Sequence, residues 1–197
     1  MIHAHELRHL EHLYRQLPDL TCNESRVFLA QIIHDPVFVM TQIMPALAQI
    51  GSGPEPAIVA SYGARESSTC LQVFTWPAGA TTAIHDHTSW GAYHCVVGTL
   101  VEERYTRLDD GAQPSTARLH KLWQRAWLPN DGVSIVGAYA EGIHRISNPG
   151  SRPAISIHLY GPRQGMFDGR DYDPRRDFVC ARHEGDAMIA SALQVAF

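Results

Sequence analysis

No block of basic residues occurs in this chain, and charged side chains make up only 18% of its 197 residues, with a formal net charge of −4. A nucleic-acid partner needs a concentrated positive footprint, so none is expected. A run of ~18 apolar residues is also missing, as is the basic-then-apolar pattern of a secretory leader. A soluble, cytoplasmic protein with no membrane partner is the expectation. Cysteine is sparse: Cys22, Cys70, Cys95 and Cys180 are scattered and form no CxxC pair. That speaks against a zinc ribbon or a thioredoxin-type site and leaves free thiols in a reducing compartment. Internal repeats and low-complexity segments are absent. Histidine, by contrast, is abundant, with 12 residues, and hydrophobic residues reach 45%. The length fits one domain with a substantial core.

Residues 1–50 read as a helical segment. Leu7, Leu10, Leu13 and Tyr14 recur at helical spacing until Pro18. Asn23 or Ser25 is placed to cap a second helix through Val27, Phe28, Ile32 and Ile33, which Asp35-Pro36 breaks. A third runs through Val39, Ile43, Met44 and Leu47 to Gly51, with Pro45 as a kink point. His3, His5, His9 and His12 share this segment. With no acidic or cysteine cluster at ligand spacing nearby, they read as exposed helix residues rather than a metal site.

After a turn-rich linker, Gly51 to Pro56, the hydrophobic period changes to two. Strand candidates are Ala57–Tyr62, Thr69–Trp76, Thr81–His87, Ala92–Val97, Leu100–Arg107, Ala117–Leu122, Gln124–Pro129, Val133–Gly137, Ile143–Ser147 and Ala154–Tyr160. Many short strands divided by turn signals imply a sandwich or closed barrel. Residues 57–162 form this mainly β core, and 163–197 read as a polar loop and a short apolar tail.

Within the core, His85 and His87 are two apart in a strand-like run, so both imidazoles project to one face. Neutral imidazole nitrogens are good ligands for a divalent transition metal. Gly79, five residues, His85-x-His87, ten more residues and then Gly98 resemble the first cupin motif. Gly91 stands where that family usually carries a glutamate ligand. Gly142-Ile-His144-Arg-Ile-Ser-Asn148 resembles the second motif. Its H-x3-N is intact, although Tyr139 replaces the proline and the glycine comes one residue late.

The resemblance implies a cupin (double-stranded β-helix) barrel with N-terminal α-helices. It also implies a metal held by His85, His87 and His144 with no charged ligand. A three-histidine site of this kind is similar to that of the cysteine dioxygenase family of thiol dioxygenases. There Fe(2+) binds a substrate thiolate and O2, and the sulfur leaves as a sulfinate. Ser156-Ile-His158-Leu-Tyr160 matches the family's S-x-H-x-Y row. The match implies catalytic roles in which Tyr160 faces the iron, His158 orients Tyr160 and Ser156 orients His158. On a strand these three share one face, with Ile157 and Leu159 behind.

Mammalian-type members crosslink the tyrosine to a cysteine five residues after the second metal histidine. Position 92 is alanine here, so no crosslink is expected, and Cys95 reads as a small buried hydrophobe. His87-Thr-Ser-Trp90-Gly91 looks more like the bacterial branch, which includes 3-mercaptopropionate dioxygenases. A substrate carboxylate calls for an arginine fork. The candidates are Arg65, one residue late in a Y-x-R pattern, and Arg163 and Arg170 after the tyrosine motif. Trp76 and Trp90 could wall a pocket or simply fill the core. The expected activity is oxidation of 3-mercaptopropionate or cysteine. The alternatives are another metal-dependent cupin enzyme acting on a non-thiol, or a ligand-binding cupin without turnover.

Overall fold

A computed structural model describes residues 3–51, 53–63, 68–165 and 167–182. The chain is mainly β, with two antiparallel sheets and a cap of short helices. Helix α1 (Ala4–Tyr14) is followed by a 3-10 turn (Leu17–Asp19) and α2 (Cys22–Ile32). The cap of α2 is Thr21, not Asn23 or Ser25. Thr21 and Glu24 satisfy each other's backbone N–H groups in a capping box. Asp35 caps the next helix by accepting from the Phe38 N–H. There α3 (Pro36–Phe38) runs through a π-helical segment (Val39–Ile43) into α4 (Met44–Leu47). The widened turn lies just before Pro45, which cannot donate to the helix, so the expected kink becomes a π-bulge. His9 Nε2 lies 2.6 Å from Asp35 Oδ2, so this histidine ties α1 to the start of α3.

The first sheet has the order β1 (Ala57–Tyr62), β2 (Cys70–Trp76), β9 (Ala154–Tyr160), β4 (Gly91–Val97), β7 (Ser134–Val136). The second has the order β11 (Phe178–Ala181), β10 (Arg170–Asp173), β3 (Ile84–His85), β8 (His144–Ser147), β5 (Leu100–Arg107), β6 (Leu119–Trp127). Alternation divides β2 and β9 between two cores. Leu71, Val73, Ile155, Ile157 and Leu159 face outward, where Phe28, Leu29, Ile32 and Phe38 from the helices cover them. Each such buried side chain contributes roughly 1.5–3 kcal/mol relative to exposure. The opposite face of the same strands, with Trp76 and Ala154, packs with Tyr93 and Cys95 of β4 and Leu100 of β5 in a second core. No single helix among the described residues is long and apolar enough to cross a membrane. The bent pair Cys22–Ile32 and Pro36–Leu47 meets that test only when taken together.

Three segments differ from the sequence expectation. Ala117–Leu122 and Gln124–Pro129 are one strand, β6, exposed along nearly its whole length. The strand expected over Thr81–His87 is only Ile84–His85. The Asp86 N–H instead donates to the Arg170 carbonyl, and the His87 carbonyl accepts from the Tyr139 N–H at 2.7 Å. The stretch read as polar loop after Gly161 contains the β10–β11 hairpin, which pairs with β3. The apolar tail from Met188 lies outside the described residues.

Candidate metal centre and its hydrogen-bonded relay

His85 ends β3 and His144 opens β8, and the antiparallel register sets them directly opposite each other. His87 follows two residues after His85, so three buried imidazoles meet. Their candidate ligand atoms all lie within 4.8 Å of one another. His87 Nε2 and His144 Nε2 are 3.4 Å apart. Ring centroids are 4.5 Å apart for His85 and His144 and 4.8 Å for His85 and His87. No other cluster of metal-ligating side chains occurs among the described residues, the N-terminal histidines included.

The outer nitrogens of all three rings have partners, and at two of them the partner is an oxygen acceptor. His85 Nδ1 lies 3.0 Å from the Ala83 carbonyl, and His144 Nδ1 lies 3.1 Å from Glu102 Oε1. Each acceptor holds a proton on Nδ1, which leaves the Nε2 lone pair unprotonated and turned inward. Burial lowers the pKa of both rings, so they are neutral and ready to ligate. A divalent transition metal fits this donor set.

Glu102 is a functional residue that sequence reasoning missed. It is fully buried and accepts from five groups: His144 Nδ1, Arg104 Nε at 2.5 Å, Ser134 Oγ at 2.7 Å, Trp127 Nε1 at 3.0 Å and Tyr93 Oη at 3.3 Å. Burial alone would raise its pKa. The His144 hydrogen bond and the nearby charges outweigh burial and hold it at about 2. The carboxylate therefore stands behind a ligand rather than among the ligands. Glu102→Gln should weaken metal binding roughly 10–100-fold, the usual range for an outer partner. Chelator competition on protein shown by near-UV circular dichroism to be folded checks this; unchanged affinity would remove Glu102 from the site.

The relay expected on β9 is built as one chain of hydrogen bonds. Trp76 Nε1 donates to Ser156 Oγ at 2.8 Å, Ser156 Oγ is 2.7 Å from His158 Nε2, and His158 Nδ1 is 3.0 Å from Tyr160 Oη. An indole N–H can only donate, so Ser156 Oγ accepts from Trp76. The serine oxygen keeps a second lone pair as well as its own hydrogen, so the links on to His158 and Tyr160 take their sense from the His158 tautomer. The Tyr160 ring lies 4.8 Å from that of His87, centroid to centroid. Phe74 and Tyr93 pack against the His158 ring at 4.5 and 5.1 Å.

Burial in this aromatic setting pushes the His158 pKa down to about 3. The unfolded chain takes up this proton near pH 6.5, whereas the folded chain does not until about pH 3. The protein should therefore lose stability as pH falls from about 6.5 towards 3, by up to ~1.4 kcal/mol per pH unit from this group. Urea unfolding midpoints at about pH 7 and about pH 5 test this. The drop should be smaller in His158→Gln, and an equal drop would exclude the assignment.

Gly91 pairs with Tyr160 across β4 and β9. A Cβ at Gly91 would lie 2.9 Å from Val136 Cγ2 and 3.3 Å from Tyr160 Cδ1, so the tyrosine ring occupies the room a glutamate ligand would need. Ala92, at the crosslink position, packs in the outward core instead. Cys95 is buried and its thiol is pushed up to about 12, in keeping with a small hydrophobe. Trp90 lies against Gly161, and Trp76 serves both core and relay.

The three arginine candidates separate. Arg65 lies outside the described residues, and Arg163 is half-buried in the loop after β9. Arg170 sits beside the site, but its Nε and Nη2 both donate to Asp86 Oδ2, at 2.8 and 2.6 Å, while its N–H bonds Oδ1. Tyr172 Oη adds a fourth bond to this fully buried carboxylate at 2.7 Å. One edge of the fork expected to meet a substrate carboxylate, Nε and Nη2, is thus taken by the residue between the two metal-facing histidines. Arg182, which no motif flagged, brings Nη2 to 3.2 Å from His87 Nδ1 and donates to the Asp86 and Asp168 carbonyls.

Comparison with known proteins gives a family match and distant structural likenesses. Solved structures similar to this chain include TT1209 from Thermus thermophilus (16% identity, 60% of this chain and 95% of that one, TM-score 0.42). An oxalate oxidase in complex with the substrate analogue glycolate is also similar (16%, 60% and 58%, TM-score 0.44). So is a cupin superfamily protein from Desulfitobacterium hafniense (17%, 59% and 87%, TM-score 0.40). No curated protein sequence matches. The model of the family described as cysteine dioxygenase type I matches residues 63–173. That span is more than half of the chain and holds all three histidines and the whole relay, so this protein belongs to the cysteine dioxygenase type I family of the cupin superfamily.

Proposed function

We propose that this protein is a cytoplasmic non-haem iron thiol dioxygenase, converting a small thiol carboxylate such as 3-mercaptopropionate or cysteine, with O2, to the sulfinate. Both oxygen atoms of one O2 end on the sulfur. The observation that carries this reading is the pairing of an all-imidazole cluster with a hydrogen-bonded Trp76–Ser156–His158–Tyr160 row at its edge. His85, His87 and His144 would hold Fe(2+), which when bound supplies an uncompensated positive charge that favours a thiolate and redox capacity toward O2.

The remaining chemistry belongs to the chain. Tyr160 is oriented by His158 and can donate a hydrogen bond toward the reacting atoms. His158 stays neutral, so it positions Tyr160 and does not serve as a proton store. Phe74, Tyr93 and Trp76 keep water from the relay. Arg170, Arg163 and Arg65 are the proposed contacts for the substrate carboxylate. Arg170 would contribute what Asp86 leaves of its guanidinium.

Iron-loaded protein assayed for O2 uptake and sulfinate with cysteine, 3-mercaptopropionate, cysteamine and mercaptosuccinate tests the proposal. One sulfinate per O2 with a carboxylate-bearing thiol supports it. Uptake only with non-thiols points to a different cupin oxygenase. Tight binding of a small molecule without any uptake points to a non-catalytic module.

A further inference from the structure

A second concave site lies on the far side of Glu102 from the histidines. It is a groove of about 510 Å³ at the open seam of the barrel, where β6 ends one sheet and β7 ends the other. Arg26 from α2, Arg104 from β5 and Arg125 from β6 line it together with Trp123, Trp127 and Ser134, and none of its lining residues is acidic. Among the described residues, neither Arg26 nor Arg125 pairs with a carboxylate. Arg125 is nonetheless held in place, because its guanidinium lies 4.0 Å over the Trp127 ring. Stacking uses the face of the guanidinium and leaves the N–H donors at its edge available. A pre-oriented fork with unspent donors, beside the guanidinium of Arg26, unpaired among the described residues, is a receptor for a planar or tetrahedral oxyanion.

The groove is also wired to the metal centre. Arg104, Trp127 and Ser134 all donate to the Glu102 carboxylate, and Glu102 in turn holds His144 Nδ1. Arg104 Nη2 further bridges the seam to Ser134 Oγ at 3.0 Å and the Ile135 carbonyl at 2.7 Å. We propose that this seam groove binds a small oxyanion of the carboxylate, sulfate or phosphate class, and that its occupancy is felt at His144 through Arg104 and Glu102. An anion beside Arg104 offsets the positive charge that Glu102 otherwise faces, so Glu102 accepts more strongly from His144 and the metal is held more tightly. Linkage requires the metal to tighten anion binding by the same factor.

Sulfate and acetate titrated into full-length protein at constant ionic strength, followed by tryptophan emission, test the site; Trp123→Phe assigns the signal. Saturable binding that weakens about tenfold or more in Arg125→Gln, with one anion preferred over the other, is expected. A response that never saturates, or one that Arg125→Gln leaves unchanged, overturns the site. Cobalt(II) affinity measured by chelator competition with and without sulfate tests the coupling. A rise of about two- to fivefold that vanishes in Arg125→Gln is expected, and no difference overturns the link. Neither readout involves a thiol or turnover, so failure here is distinct from failure of the proposed activity.

Discussion

His144→Ala should abolish both metal binding and turnover. The three candidate ligand atoms lie within 4.8 Å of one another, and among the described residues no carboxylate or thiol stands ready to replace the lost imidazole. Two neutral nitrogens hold a divalent ion far less well than three. The loss should therefore exceed the roughly 10–100-fold expected for outer partners. Metal content per chain after anaerobic loading measures it directly, and full occupancy in the variant would refute the centre. The variant also leaves Glu102 one donor short, so near-UV circular dichroism should accompany the metal analysis. Glu102 keeps four other donors, and the fold is expected to survive.

Tyr160→Phe should have a different signature. Its ring lies against His87 without joining the cluster, so metal content should be unchanged. Loss of the hydroxyl removes the terminal group of the relay, and oxidation should slow by roughly 10²-fold, the lower range for general acid–base groups. Single-turnover rates on variant and parent at equal metal occupancy separate this from a binding defect. An unchanged rate would leave the β9 row as a structural hydrogen-bond ladder with no part in the reaction.

Much of this site was legible because it is built from local periodicity. His85 and His87 two apart, and Ser156, His158 and Tyr160 at alternate positions of a fully buried strand, state their common face directly. The bounds of β1, β5 and β9 were readable for the same reason, since turn signals flank them. What was hidden depends on partners remote in sequence. Glu102 and Glu103 are adjacent acids on one strand, and nothing local says which is buried against His144 and which pairs with Lys121 and Arg145. Strand β6 was split because it is exposed on both faces and so carries no period-two pattern. The β10–β11 hairpin was missed because much of its anchorage is polar, through Asp86, rather than through an apolar stripe. Arg182 had no motif to announce it.

The Asp86 clamp has a bearing on the order of events during synthesis. The carboxylate lies between the two histidines of the β3 segment, yet its counter-charge and all four of its hydrogen bonds come from Arg170 and Tyr172, more than eighty residues later. A nascent chain released only as far as β9 holds every imidazole and the whole tyrosine row, but Asp86 then lacks its counter-charge, its hydrogen-bond donors and the strand that pairs beside it. Loading of the ion is therefore expected to wait until the last hairpin has emerged from the ribosome. A chain ended at residue 165 should fail to retain cobalt(II), and retention would show that the pocket matures without its late-arriving strap.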